Sequence, residues 1–229
     1  MKNKDNLNKV INIMRIFSFV LLVVGGVGLL ASAYPILKSE FGFEIKQRIE
    51  AANNTDVVIT QAPDKTTFGT ILVIPPALGV EPINTTNSII ITKIDVNSPI
   101  VWDVDVMNNI AYNNALKTGV AHATDTAYPS DRAGNTYLFA HSTLNPLDIE
   151  RYAAEFTLLH RLEINDKITI YYEGKRYDYL VISKEVVNKF NTEPLTRTPD
   201  FPMLTLQTCD PPGVPLNRLI ITAKLAAVY

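Results

Sequence analysis

A single cysteine, Cys209, stands in a chain of 229 residues, so no internal disulfide is possible. Only three histidines accompany it, His122, His141 and His160, and they lie far apart. No CxxC or HExxH spacing occurs, so no metal is expected at the site, and no other cofactor either. No glycine-rich loop is present to cradle a phosphate. No run of Lys and Arg interleaved with aromatics occurs, which argues against nucleic acid as a partner. The net charge is −2, so no overall positive field steers a polyanion to the chain. Long apolar runs are also scarce: one lies near the N-terminus, and no second follows it.

That one run sets the topology expected of the chain. Lys2, Lys4, Lys9 and Arg15 stand against one acid, Asp5, in the first fifteen residues. Ile16 to Ala33 then carries no charge. At 1.5 Å per residue it spans about 27 Å, or about 33 Å if continued to Leu37, which brackets a hydrocarbon core of roughly 30 Å. The positive flank predicts that the N-terminus stays in the cytoplasm and that the chain after Lys38 is exported. Ala31-Ser32-Ala33 is compatible with a signal-peptide cleavage site, but the apolar run is long for a signal peptide, which favours an uncleaved anchor. Without its first fifteen residues the chain has 17 bases against 22 acids, a mildly acidic surface of −5.

The chemistry concentrates near the C-terminus. Leu204-Thr205-Leu206-Gln207-Thr208-Cys209 alternates apolar and polar side chains and reads as a β-strand ending at the cysteine. Asp210-Pro211-Pro212-Gly213 breaks it, and a second strand runs from Leu219 to Leu225. A lone cysteine is most often a small buried hydrophobe. Position argues otherwise here: strand ends and loops carry chemistry more often than strand middles. Arg218 opens the next strand, and its guanidinium is a permanent cation suited to a thiolate or an oxyanion. Across a hairpin-like connection both side chains can face one pocket. An idle exposed thiol is a liability in an oxidising compartment, so Cys209 is expected to be either buried or used. The missing base is assigned to His141, which closes the apolar run Tyr137 to Ala140.

Elsewhere, short β-branched runs broken by turn residues begin at Ile89 and suggest an all-β sandwich or barrel. Asn108 to Lys117 reads as a short helix stopped by Gly119. Asp148 to Leu162 reads as a longer helix, with Ile149, Tyr152, Ala153, Phe156 and Leu159 on one stripe. Lys167 to Tyr172 and Lys175 to Ile182 alternate as a hairpin around Glu173-Gly174. Ile71 to Val80 is read as an extra edge strand or a segment packed on the domain.

Thr-Leu-Gln-Thr-Cys followed by Arg218 resembles the TLxTC…R signature of the sortase family. Phe139-Ala140-His141-Ser142 resembles that family's histidine motif. Gly119-Val120-Ala121-His122, Gly134-Asn135-Thr136, the hairpin between Leu162 and Val181, and Leu219 to Leu225 follow in the family's order. The resemblance covers about Ile89 to Ala227. It implies a mainly β fold, a closed sortase-type β-barrel with a few short helices, preceded here by one transmembrane helix. The division expected is 1–15 cytoplasmic, 16–37 membrane anchor, 38–88 stalk with a possible edge segment, and 89–229 catalytic barrel. Departures include Ala140 for glycine, Val214 where threonine is common, and Asp125 and Ser130 where the family often has glycines.

The resemblance also implies a mechanism. Cys209 is the nucleophile, His141 the acid and base, and Arg218 the support for the oxyanion, with Thr208 adding a hydroxyl or backbone contact beside the thiol. His122 falls where the family often has an unreactive histidine, and His160 lies on the apolar-striped segment. Sortases cut an LPXTG-like sorting signal, hold the acyl half as a thioester, and pass it to an amine on a cell-wall precursor or a pilin lysine. Surface proteins bearing such signals, an amine acceptor and the membrane are therefore the expected partners. An exported cysteine protease and a membrane-tethered binding module with an inert thiol are the alternatives. With side chains near 8.5 and 6.5, the thiolate–imidazolium form is about one per cent of the enzyme near neutrality.

Overall fold

The computed structural model describes residues 2–53, 77–142 and 154–229. A long helix, α1 (Lys2–Asn53), comes first. Eight strands follow: β1 (Asn87–Ile91), β2 (Val96–Val104), β3 (Val120–Ala123), β4 (Gly134–Phe139), β5 (Lys167–Tyr172), β6 (Lys175–Asn188), β7 (Pro202–Asp210) and β8 (Asn217–Val228). Two further α-helices, α2 (Asn109–Thr118) and α3 (Glu193–Thr196), lie between them. The strands close into a barrel in the order β1-β2-β3-β4-β7-β8-β6-β5. Closure leaves no unpaired edge.

Two neighbouring pairs, β2 with β3 and β4 with β7, are parallel, and the other six are antiparallel. A parallel pair needs a long crossover. Helix α2 makes the first, and the stretch carrying β5 and β6 makes the second. Asn108 caps α2 by accepting from the N–H groups of Ile110 and Ala111, both at 3.1 Å. Gly119 ends it, and a Cβ there would sit 2.5 Å from the carbonyl oxygen of Pro99, so only glycine fits.

Alternation sorts the side chains into two cores. Ile89, Ile100, Leu138, Ile170, Leu206 and Ile221 belong to the cluster that fills the barrel. Val104, Ala121, Ala123, Tyr137 and Phe139 form a second cluster on the outer face, beneath Ala115 and Leu116 of α2. Strand parity therefore decides which side chains reach solvent beside α2.

Two expectations change. The stretch from Glu40 to Lys46, read from sequence as part of a solvated stalk, lies against the barrel. Phe43 is only 4% exposed and joins the interior cluster, with the Arg161 guanidinium 5.3 Å from its ring centre. Glu40 accepts from Arg161 Nε at 3.0 Å and sits 3.0 Å from His160 Nε2, while Lys46 pairs with Asp95 and donates to the Thr92 carbonyl. The described part of the helix expected at 148–162 is instead turn, with a 3-10 helix at Leu159–Arg161. Its apolar residues are buried as expected, but Phe156 N–H donates to the His141 carbonyl at 3.0 Å, which commits the backbone to a tertiary contact. Residues 148–153, and 71–76 of the expected edge segment, lie outside the described residues.

Within α1, Asn12–Leu30 is long and apolar enough to cross a membrane, with none of it buried in the protein. The helix continues unbroken into the Phe43 contact. Phe43→Ala should therefore lower stability by about 3 kcal/mol, a thermal midpoint drop of roughly 6–12 °C. Phe41→Ala, at a position 64% exposed, should leave the midpoint unchanged in the same detergent.

Candidate active site

Strand register brings the three distant side chains together. Cys209 and Arg218 are directly opposed across the β7–β8 ladder. Strand β4 runs parallel to β7 with Phe139 beside Gln207, so His141, two residues on, falls beside Cys209. The extension past the strand is held: Ala140 N–H donates to the Gln207 carbonyl at 3.2 Å, and Thr208 Oγ1 donates to the Ala140 carbonyl at 2.9 Å. Ser142 Oγ accepts from the Gly213 N–H at 3.2 Å, tying the β7–β8 loop to the same strand end.

Parity fixes the face. Leu204, Leu206 and Leu219 fill the barrel, so Cys209 and Arg218, of opposite parity, lie on the outer face with Gln207, Tyr137 and Phe139. Cys209 is half-buried, as are His141 and Arg218. Burial holds the His141 imidazole below its ordinary pKa, favouring the neutral ring. Thr208 faces inward at 3% exposure, and its hydroxyl is spent on Ala140.

The other histidines stay apart from this face. His122 pairs with Leu138, an interior position, and is 0% exposed. It packs between Trp102 at 4.9 Å and Tyr128 at 5.1 Å, and its Nε2 lies 2.9 Å from Thr126 Oγ1 and 3.2 Å from the Ala127 carbonyl. Its ring is structural, and burial depresses its pKa. His160 sits on the 3-10 turn against Glu40.

Two walls flank the outer face. Helix α2 forms one. The segment around α3 forms the other: Asn135 Nδ2 donates to the Pro194 carbonyl at 3.0 Å, and Asn135 Oδ1 accepts from Thr205 Oγ1 at 2.7 Å. Arg197 holds that wall through Glu193 at 2.6 Å and Glu185 at 2.7 Å. A cavity of about 340 Å³ opens at this end, lined by Asp125, Ala127, Asn135, Leu195 and Arg197 among others. From Asn135 to His141 is six strand rises, about 20 Å, the length of an extended peptide of about six residues. Tyr137, whose hydroxyl donates to Gln207 Oε1 at 2.5 Å, lies along this floor. Sequence reasoning gave neither Asn135 nor Tyr137 a functional role, and only their shared parity on β4, beside the outward positions of β7, signalled them. Among the described residues no group of three or more His, Cys, Asp or Glu is placed to hold a metal.

Both depressed histidines make stability depend on pH. A folded value below the unfolded 6.5 gives stability that is full above pH 6.5 and lost as pH falls from there through the folded value. Glu155, whose carboxyl burial raises, acts in the opposite sense. Urea unfolding should therefore show a less stable protein at pH 5.5 than at 7.5, and His122→Gln should narrow the difference.

Residues 89–226 match the family model described as Sortase domain. The structure is similar to sortase C-1 from Actinomyces oris at 26% identity and a TM-score of 0.52, over 63% of this chain and 76% of that one. It is similar to a lid mutant of sortase A from Corynebacterium diphtheriae at 27% identity and 0.52, over 63% and 71% of the two chains. For sortase C1 from Streptococcus suis the values are 26% and 0.52, over 62% and 73%. No curated protein matches the chain.

Proposed function

The chain belongs to the sortase family of cysteine transpeptidases, and from that premise we propose that it cuts an LPXTG-like sorting signal and transfers the acyl half to an amine at the membrane surface. The observation that carries this reading is the outer-face trio: Cys209 opposite Arg218, with His141 on the parallel strand beside them. The thiol is half-buried, and so within reach of a substrate laid along the face.

In this reading the Cys209 thiolate attacks the carbonyl carbon after the signal's threonine. The carbonyl electron pair moves onto oxygen, and Arg218 stabilises that oxyanion. Collapse re-forms the carbonyl and breaks the C–N bond, and the leaving amine takes its proton from the His141 imidazolium. An incoming amine then gives a proton to neutral His141 as it attacks the thioester, and Cys209 leaves as thiolate. Thr208 acts indirectly, by holding the Ala140 carbonyl and with it the end of the His141 strand. The outer face is long enough for the signal, and the α3 wall, braced by Arg197, borders its far end. Segment 12–30 anchors the chain, with the basic N-terminus inside and the barrel outside. Surface proteins that carry the signal are the substrates, and a cell-wall precursor or pilin lysine is the acceptor.

The test is product analysis with the full-length chain, an LPXTG-type peptide and an amine acceptor. An amide-linked product is expected, absent in Cys209→Ala and His141→Ala. Arg218→Lys should lower kcat/KM by about 100-fold, because a point charge replaces the planar fork. Free acid alone, whatever the amine, would indicate a hydrolase instead.

The depressed His141 also sets a pH profile. A thiolate and an imidazolium are needed together, so activity falls in acid, where the reacting pair gains a proton, and in base, where it loses one. The kcat/KM profile should be a bell whose acid limb lies below the ordinary histidine value of about 6.5. A rate already flat from pH 5 to 8 would contradict this and indicate a preformed ion pair.

A further inference from the structure

The α2 wall carries a polar group that the Cys209–His141–Arg218 reading does not use. Tyr112 is half-buried, and its ring stacks on Phe139, with centroids 5.3 Å apart and planes 11° from parallel. Phe139 is two residues before His141 and is paired with Gln207, two residues before Cys209. The stack therefore fixes the phenol beside the reacting end of β4 and β7. It joins the outer cluster through Tyr137 and Phe139, which leaves the ring little freedom.

The hydroxyl of Tyr112 makes no hydrogen bond to any described residue. Its neighbour Tyr137 differs, since that hydroxyl is committed to Gln207. No buried side-chain polar atom among the described residues lacks a partner, so the Tyr112 hydroxyl is at least partly open to solvent. It also feels both reacting groups. Burial raises its pKa, the Cys209 thiolate raises it further, and Arg218 opposes them. The phenol thus stays protonated across the working pH range. It is a donor held ready on a rigid ring, and not a base.

We propose that Tyr112 is a second oxyanion donor: its O–H and the Arg218 guanidinium together hold the substrate carbonyl oxygen as Cys209 attacks. This deepens the transpeptidase reading and rests on it. The sulfur–carbon bond forms, the carbonyl pair moves to oxygen, and Tyr112 donates a hydrogen bond without giving up its proton. When the carbonyl re-forms and the C–N bond breaks, the hydrogen bond weakens and His141 supplies the proton to the amine. Tyr112 is unchanged at the end. Donors aimed at charge that develops only in the transition state raise kcat more than they lower KM.

The experiment is Tyr112→Phe in the full-length chain, which keeps the ring on Phe139 and removes only the hydroxyl. Two acyl donors are used, an LPXTG-type peptide and p-nitrophenyl acetate, together with iodoacetamide as an alkylating probe of Cys209. Alkylation forms no oxyanion. The expected result is a fall of about 10- to 100-fold in kcat for the peptide with KM little changed. A comparable fall in the acylation rate with p-nitrophenyl acetate is expected, with the alkylation rate and thermal midpoint as in the unsubstituted chain. Unchanged acylation in Tyr112→Phe would overturn the proposal. So would an alkylation rate that falls in step with acylation, since the hydroxyl would then be acting on the thiol. If the peptide is inert but the ester shows the fall, the sorting-signal reading fails and the donor role stands. If the unsubstituted chain is acylated by neither, the proposal fails with it.

Discussion

The register of β4 on β7 and of β7 on β8 is the constraint on which the site depends. It makes neighbours of residues 141, 209 and 218 and puts them on one face of the sheet. Because side chains alternate, a slip of one residue would turn Cys209 into the barrel and Thr208 out to solvent. The fold guards against that slip from both faces. Inward, Leu204, Leu206, Leu219 and Ile221 are fully or almost fully buried. Outward, Asn135, Thr205, Tyr137 and Gln207 pair through their side chains. Thr208 sits between the two sets, and its bond to Ala140 carries the register one step beyond the last strand pair.

The same alternation gives two of the histidines different surroundings. His122 lies on β3 and His141 just past the end of the neighbouring β4, yet His122 is fully buried and His141 only half-buried. Both rings are desolvated, and both are held below the ordinary histidine value. The difference lies in their surroundings: His122 is enclosed by aromatic rings, the Thr126 hydroxyl and the Ala127 carbonyl, whereas His141 follows the strand that lies parallel to the Cys209 strand. At the other end of the chain, α1 passes from an apolar stretch straight into the Phe43 contact, with Glu40 and Lys46 pairing on either side. The segment suited to a membrane is therefore mechanically continuous with the barrel.

Much of this was legible in the chain. The alternation in Leu204–Cys209 and the breaker after it were enough to set Cys209 against Arg218, because a hairpin-like return leaves few other partners. Asn108 and Gly119 bounded α2 because capping chemistry is local. Long-range packing was harder to read. The stripe at Phe156 and Leu159 is buried as its spacing implied, but its backbone bonds to His141 and tightens into a 3-10 turn. Phe43 stands between two exposed apolar residues, Phe41 and Ile45, in a charged stretch, and nothing local marks it as the core residue. Tyr112 packs on Phe139 of a strand distant in sequence, and no motif carries that information.

The central claim is that Cys209, set on the outer face by that register, is an acylated nucleophile. Intact-protein mass measurement after acid quench, with the full-length chain and an LPXTG-type peptide but no added amine, tests it most directly. The account predicts a mass increase equal to the acyl fragment, mapped by peptide analysis to Cys209, removed by hydroxylamine, and absent in Cys209→Ala. An adduct on another residue, or no adduct while Cys209 still reacts with iodoacetamide, would contradict it.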